Sequence, residues 1–261
     1  MTKQTAPRAS QATIGARARS LFPVEPLEPV GFPGRWVGAA GMMLGPVLML
    51  VGALLRVEVP FFFPEQLAGY AREPVLMATA YGFFATGSVL LWPAVALLAA
   101  RISDRSPGWA VWGGTLATFG LFARAFHAGT DHMAFRLVDA HGPVAATETV
   151  ASGYAAFHIF SVLNVAILVG WIVLAVGAWL TGVLGPVRSL ALGSMAALPI
   201  GVLKGTTPMS LVALTGLCIA LVPMGVGLLR DFPRPATGAV VRWSLVTMVT
   251  LGLLTLLGQA G

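Results

Sequence analysis

Long apolar stretches alternate with short polar segments along most of this chain. Stretches of 16 to 39 residues without Asp, Glu, Lys or Arg cover 37–55, 76–100, 108–123, 149–187 and 205–229. A backbone polar group left unpaired in hydrocarbon costs several kcal/mol, so apolar stretches of this length are expected to be helices. The two-residue alternation of a lipid-facing barrel strand is absent from them. The pattern therefore predicts an all-α, polytopic membrane helical bundle.

Seven membrane-spanning helices are predicted, which form one transmembrane domain over 36–259. The tail that precedes them, 1–35, is basic and rich in proline and is predicted to be cytoplasmic. The weakest span is 187–204, because its uncharged part is short and contains Pro199. A six-span arrangement without it stays open. The predicted spans are 36–56, 76–100, 108–128, 153–180, 187–204, 208–229 and 240–259.

Basic residues are distributed unequally between the two ends of these spans. With seven spans, 11 Lys and Arg lie on the side of the N-terminus and 5 on the other side. Without the span 187–204 the counts become 9 and 7, so the positive-inside rule favours seven spans, the N-terminus inside and the C-terminus outside. Arg outnumbers Lys 14 to 2, which suggests a bacterial coding bias and hence a bacterial cytoplasmic (inner) membrane.

Composition excludes a soluble globular domain, since 57% of residues are hydrophobic, 10% are charged and mean hydropathy is +0.83. The excess of 16 Lys and Arg over 10 Asp and Glu fits contact with anionic lipid, so the bilayer rather than nucleic acid is the expected partner. The sequence leaves the oligomeric state open. Small residues at Gly41 and Gly45, and at Gly170 and Gly177, predict faces where helices approach closely.

Ionisable residues cluster at the outer end of the third predicted span. Arg124, His127 and Asp131 follow an i, i+3, i+7 spacing, so they share one face if the helix continues past Gly129, and His132 lies at the edge of that face. Ionisable groups at membrane depth are costly unless they are paired, which makes them candidates for function.

The fourth predicted span begins with a second polar face, made by Tyr154, His158 and Ser161 at i, i+4, i+7. Because consecutive spans are antiparallel, the two polar faces are expected to meet on the outer side. Lys204, at the outer end of the fifth span, is a further candidate ligand-binding residue there.

Three kinds of chemistry fit these residues. His127, Asp131 and His158 form an N,N,O set that suits Zn²⁺ or Fe²⁺, although the cofactor, if there is one, is not identified. Without metal, Asp131 orients a histidine as general base and Arg124 holds an anion, so the catalytic candidates are Arg124, His127, Asp131 and His158. In the third interpretation the cluster is purely structural. The candidate ligand-binding residues are Tyr154, Ser161, His132 and Lys204.

The functional hypothesis is a multi-pass inner-membrane protein with an outward-facing polar pocket that binds, and in one version processes, a small or lipid-like molecule. The alternative is a non-enzymatic membrane component, such as a transporter subunit, an immunity protein or a sensor. The first outer loop, 57–75, contains three consecutive phenylalanines that are expected at the membrane interface, and Pro64 is predicted to start a short helix that covers the pocket as a lid. An aromatic belt with no gating role stays the alternative.

Overall fold

A computed structural model describes residues 33–154, 156–231 and 234–260, with side chains as far as residue 258. Every regular element in these ranges is helical. The predicted tail 1–35 lies outside them except for its last three residues. The helices are α1 (Gly34–Leu54), α2 (Phe63–Arg72), α3 (Pro74–Ser103), α4 (Pro107–Gly153), α5 (Ile159–Leu180), α6 (Pro186–Gly193), α7 (Pro208–Arg230) and α8 (Thr237–Ala260), and a 3₁₀ turn at Ser194–Ala197 follows α6.

Five of the described helices are long and apolar enough to cross a membrane: Gly34–Leu54, Pro74–Ser103, Ile159–Leu180, Pro208–Arg230 and Thr237–Gly258. This agrees with the predicted helical membrane bundle. The number of seven spans and their orientation remain predictions.

Glycines set the spacing between neighbouring helices. A Cβ on Gly45 would lie 3.0 Å from Leu91 of α3, and one on Gly170 would lie 2.5 Å from the Ala117 nitrogen of α4. The predicted close approach at these small residues is therefore confirmed. The contacts along α1, α3, α4, α5 and α7 pair the start of one helix with the end of its neighbour, so sequential neighbours are antiparallel.

Helix α4 is much longer than the predicted span 108–128. It continues through the predicted outer loop to Gly153, with one break at Gly142, where φ is 80° and Pro143 follows. The extension is stabilised by a second apolar cluster, in which Phe135 and Val138 pack with residues of α2. The predicted start of the next span at 153 is wrong, because α5 begins only at Ile159.

The predicted helix 187–204 is not continuous. Helix α6 has eight residues, the 3₁₀ turn follows, and 198–207 is not helical. Pro199 cannot donate a helical hydrogen bond, and Gly201 adopts φ 118°, which favours glycine. We call residues 198–207 the open segment.

The open segment continues α6 towards the opposite end of the bundle. Arg188, in α6, donates to the carbonyl of Ala220 just past the middle of α7, whereas Thr206 donates to the carbonyl of Ala53 at 2.7 Å, at the end of α1. Gly205 donates its backbone N–H to Phe61 at 2.8 Å. The chain from 186 to 207 therefore runs beside α7, as helix and 3₁₀ turn up to 197 and as non-helical backbone from 198 onwards.

Candidate functional site

A cavity of about 260 Å³ lies where the open segment meets α1, α3 and α4. Its wall includes Arg124, His127 and Asp131, and α4 does continue past Gly129, so the predicted shared face of these three residues is confirmed. His132 and Lys204 also line the cavity, and their ligand-binding role stays a prediction. The further ionisable or hydroxyl-bearing residues of the wall are Arg56, Tyr70, Tyr81, Ser88, Arg136, Thr206 and Ser210.

Arg124 holds the first part of the open segment. Its guanidinium donates to the carbonyl of Pro199 at 3.3 Å and to that of Leu198 at 3.4 Å. Because 198–207 is not helical, these carbonyls have no helical N–H partner, and Arg124 supplies one. The side chain is 7% exposed, and its Nε has no hydrogen-bond partner among the described residues.

Asp131 holds the second part of the open segment. One carboxylate oxygen accepts the backbone N–H of Leu203 at 2.6 Å. Leu203 has φ 52°, an uncommon conformation for a non-glycine residue, and this hydrogen bond helps to maintain it. In the described residues no hydrogen bond joins Asp131 to His127 or His132.

Arg56 is a cavity residue that the sequence analysis counted only as an outer topological charge. It follows α1 directly, is 5% exposed, and packs its guanidinium 4.2 Å from the ring centroid of Tyr81 and 4.9 Å from that of Phe84. Its Nε and Nη1 are buried and have no hydrogen-bond partner in the part of the chain that the structure describes. Arg56 and Arg124 are close enough to repel each other electrostatically.

The rim of the cavity is formed where α2 packs against α4. Tyr70 stacks on Phe135 with ring centroids 4.3 Å apart, donates to Asp139 at 3.0 Å and accepts from Arg136. Arg136 and Asp139 form an ion pair of 3.1 Å. Burial and the hydrogen bond to Asp139 raise the pKa of the Tyr70 hydroxyl. The short helix that Pro64 predicted exists as α2, with Pro64 in its first turn.

The second predicted polar face does not form as a helix face. Tyr154 follows the end of α4, His158 precedes α5 in extended conformation, and only Ser161 lies within α5. None of the three lines the cavity. Tyr154 instead stacks on Phe63 near Lys204, with ring centroids 5.0 Å apart, and Ser161 caps the start of α5 with His158.

The predicted metal set is not assembled in the described part of the chain. His127 and Asp131 line the cavity, whereas the His158 ring packs against Phe126 at 4.6 Å outside it. Among the described residues, no group of three or more His, Cys, Asp or Glu side chains is placed to hold a metal ion. The prediction fails at His158, because the helical register that it assumed begins only at Ile159.

Comparisons with known proteins give no relative: no protein family, curated protein or solved structure matches the chain. The residues of the cavity are therefore the only guide to its chemistry.

Proposed function

We propose that this chain is a multi-pass membrane protein whose cavity binds a small molecule or the headgroup of a lipid-like molecule. The observation that carries the proposal is Arg56, a buried arginine with two unpartnered nitrogens in the cavity wall. Buried N–H groups without an acceptor are costly, and a ligand that accepts hydrogen bonds from them supplies the missing interaction.

The non-helical backbone beside the cavity supports the same proposal. Irregular backbone at membrane depth is tolerated where it is buried in protein or lines a cavity, and broken helices commonly form binding sites in membrane proteins. Pro199, Gly201 and Gly205 of the open segment all line this cavity.

The antiparallel contacts favour the predicted topology. With the 186–207 segment counted as a discontinuous crossing, α1, α3, α4, α5, that segment and α7 alternate in direction, and α8 adds a seventh crossing. The cavity lies at the end of the bundle opposite Arg101, Arg105 and Arg188, so the positive-inside rule favours an outer position for it. In a bacterium that is the outer side of the cytoplasmic membrane.

A purely structural role, the second candidate, is favoured for two of the predicted residues. The side chains of Arg124 and Asp131 both bond to backbone groups of the open segment, and this accounts for their burial without any ligand. The same explanation does not extend to Arg56. We therefore propose binding as the function, and propose Arg124 and Asp131 as the residues that shape the site.

Filling the cavity tests this proposal. Ala128 lines the cavity and Ala125 is exposed on the same helix, so Ala128→Trp and Ala125→Trp form a matched pair. Native mass spectrometry of protein purified from expressing cells is expected to show a bound mass in the wild type and in Ala125→Trp, and its loss in Ala128→Trp. Equal bound mass in both variants, or none in the wild type, contradicts binding in this cavity.

A further inference from the structure

We infer that the ligand of this cavity is recognised through a phosphate group, with the Arg56 guanidinium as its principal contact. This inference rests on the proposed binding function and adds the chemical class of the ligand.

The charges of the wall favour a doubly charged anion. Arg56, Arg124 and Lys204 line the cavity, and Asp131 is the one carboxylate among the described lining residues. Arg136, at the rim, is already paired with Asp139. With Asp131 ionised, two positive charges remain, which match the charge of about −1.5 to −2 on a phosphate monoester and exceed that of a carboxylate.

The geometry of Arg56 leaves two of its nitrogens without an acceptor. The rings of Tyr81 and Phe84 cover the guanidinium, while the N–H groups at Nε and Nη1 have no protein partner among the described residues. The N–H groups of a guanidinium donate charge-assisted hydrogen bonds to the oxygens of an oxyanion. Arg124 adds a further unpartnered buried nitrogen, its Nε.

The size of the cavity limits what accompanies the phosphate. A volume of about 260 Å³ is below the roughly 300–1,000 Å³ of pockets for drug-sized ligands. The wall therefore suits a small phosphate ester or the phosphate headgroup of a lipid whose chains stay outside. These two sources share the same chemistry at Arg56.

The test measures thermal unfolding of the full-length protein in a phosphate-free maltoside detergent, at constant ionic strength. The probes are glycerol 3-phosphate, short-chain phosphatidic acid below its micellar concentration and, as a zwitterionic control, short-chain phosphatidylcholine. The unfolding temperature of the wild type is expected to rise with the concentration of at least one of the two phosphate monoesters. A stronger response to the lipid than to glycerol 3-phosphate identifies a headgroup, and the reverse identifies a soluble ester.

Variants then assign the response to Arg56. In Arg56→Gln the half-saturating concentration is expected to rise about tenfold or more, and Arg56→Lys, which keeps the charge but loses the planar guanidinium with its several donors, is expected to fall in between. Arg72→Gln removes an exposed cation of α2 outside the cavity wall and is expected to respond like the wild type.

Absence of any phosphate response in the wild type overturns the inference, as does an undiminished response in a folded Arg56→Lys and Arg56→Gln. If the phosphate response fails while Ala128→Trp still removes a bound mass, the cavity binds a ligand of another class, and the proposed function stands without the phosphate.

Discussion

At the scale of single residues, the charged groups of the cavity differ in what their hydrogen-bonding groups contact. Arg124 and Asp131 use theirs to bind the backbone of the open segment. Arg56 covers its faces with aromatic rings and leaves in-plane nitrogens unpartnered among the described residues. The two arginines therefore differ in role. Arg124, like Asp131, holds the wall of the cavity together, whereas Arg56 is available to a ligand.

Asp131 provides a prediction about the stability of the open segment. Asp131→Asn keeps an acceptor for the Leu203 N–H, whereas Asp131→Ala removes it. Asp131→Ala is therefore expected to be less stable than Asp131→Asn by about 1–3 kcal/mol, because the Leu203 N–H loses its acceptor.

Thermal unfolding in detergent measures the difference between the two variants. Equal unfolding temperatures of Asp131→Asn and Asp131→Ala contradict the prediction.

At the scale of elements, the open segment is the feature that organises the site. It begins after a four-residue 3₁₀ turn and ends where Thr207 caps α7 by accepting the backbone N–H of Ser210 at 3.1 Å. Between these points its backbone is fixed by α4 on one side and by the loop before α2 on the other. The non-helical backbone of the open segment occupies less space than a helix would, and the cavity lies beside it.

Gly201 tests the conformation of the open segment. Its φ of 118° is unfavourable for an L-residue, and a Cβ there would lie 3.2 Å from Lys204. Gly201→Ala is expected to lower the free energy of unfolding by about 1–3 kcal/mol, measured by thermal or denaturant unfolding in detergent. Gly129→Ala, in helix α4 with open space around it, is the control and is expected to be neutral or stabilising. Equal effects at both glycines contradict the observed backbone.

The elements also show which features were predictable from sequence. The shared face of Arg124, His127 and Asp131 was predictable because helical period depends only on local spacing. The position of His158 was not predictable. The predicted face of Tyr154, His158 and Ser161 assumes a helix through all three residues, and α5 begins only at Ile159, one residue after His158. Arg56 was missed because an arginine at the end of a span has a sufficient explanation in topology, and its aromatic neighbours are 25 or more residues away in the chain.

At the scale of the whole molecule, the helical class was predictable from hydropathy. Pro199 marked 187–204 as the weakest predicted span, but the point at which the helix after α6 breaks was not predictable. Hydropathy reports burial in lipid, and the open segment is apolar enough to meet that requirement without being helical. Its two signals, Pro199 and Gly201, are also common in continuous membrane helices, so their effect depended on partners in α4. Helix α8 contacts none of the other described helices, so hydropathy alone identified it as a span.

Thiol labelling tests the proposed topology of the whole molecule. After Cys218, the single cysteine, is replaced by Ala, His141→Cys and Asp104→Cys place one thiol at each end of the bundle. A membrane-impermeant maleimide applied to intact cells is expected to label position 141 and not 104, and both positions once the cells are lysed. The opposite pattern places the cavity inside the cell and overturns the proposed orientation.

The hydrogen bonds of Arg124 also constrain the order in which this protein is made. Its carbonyl partners, Leu198 and Pro199, follow 74 and 75 residues later in the chain. At about 5–20 residues per second, a ribosome needs roughly 4 to 15 s to reach them. A nascent chain that stops before 198 therefore holds Arg124 without these two acceptors. The hydrogen bonds that bury this guanidinium form only after the open segment has been synthesised, so any earlier intermediate solvates Arg124 by other groups.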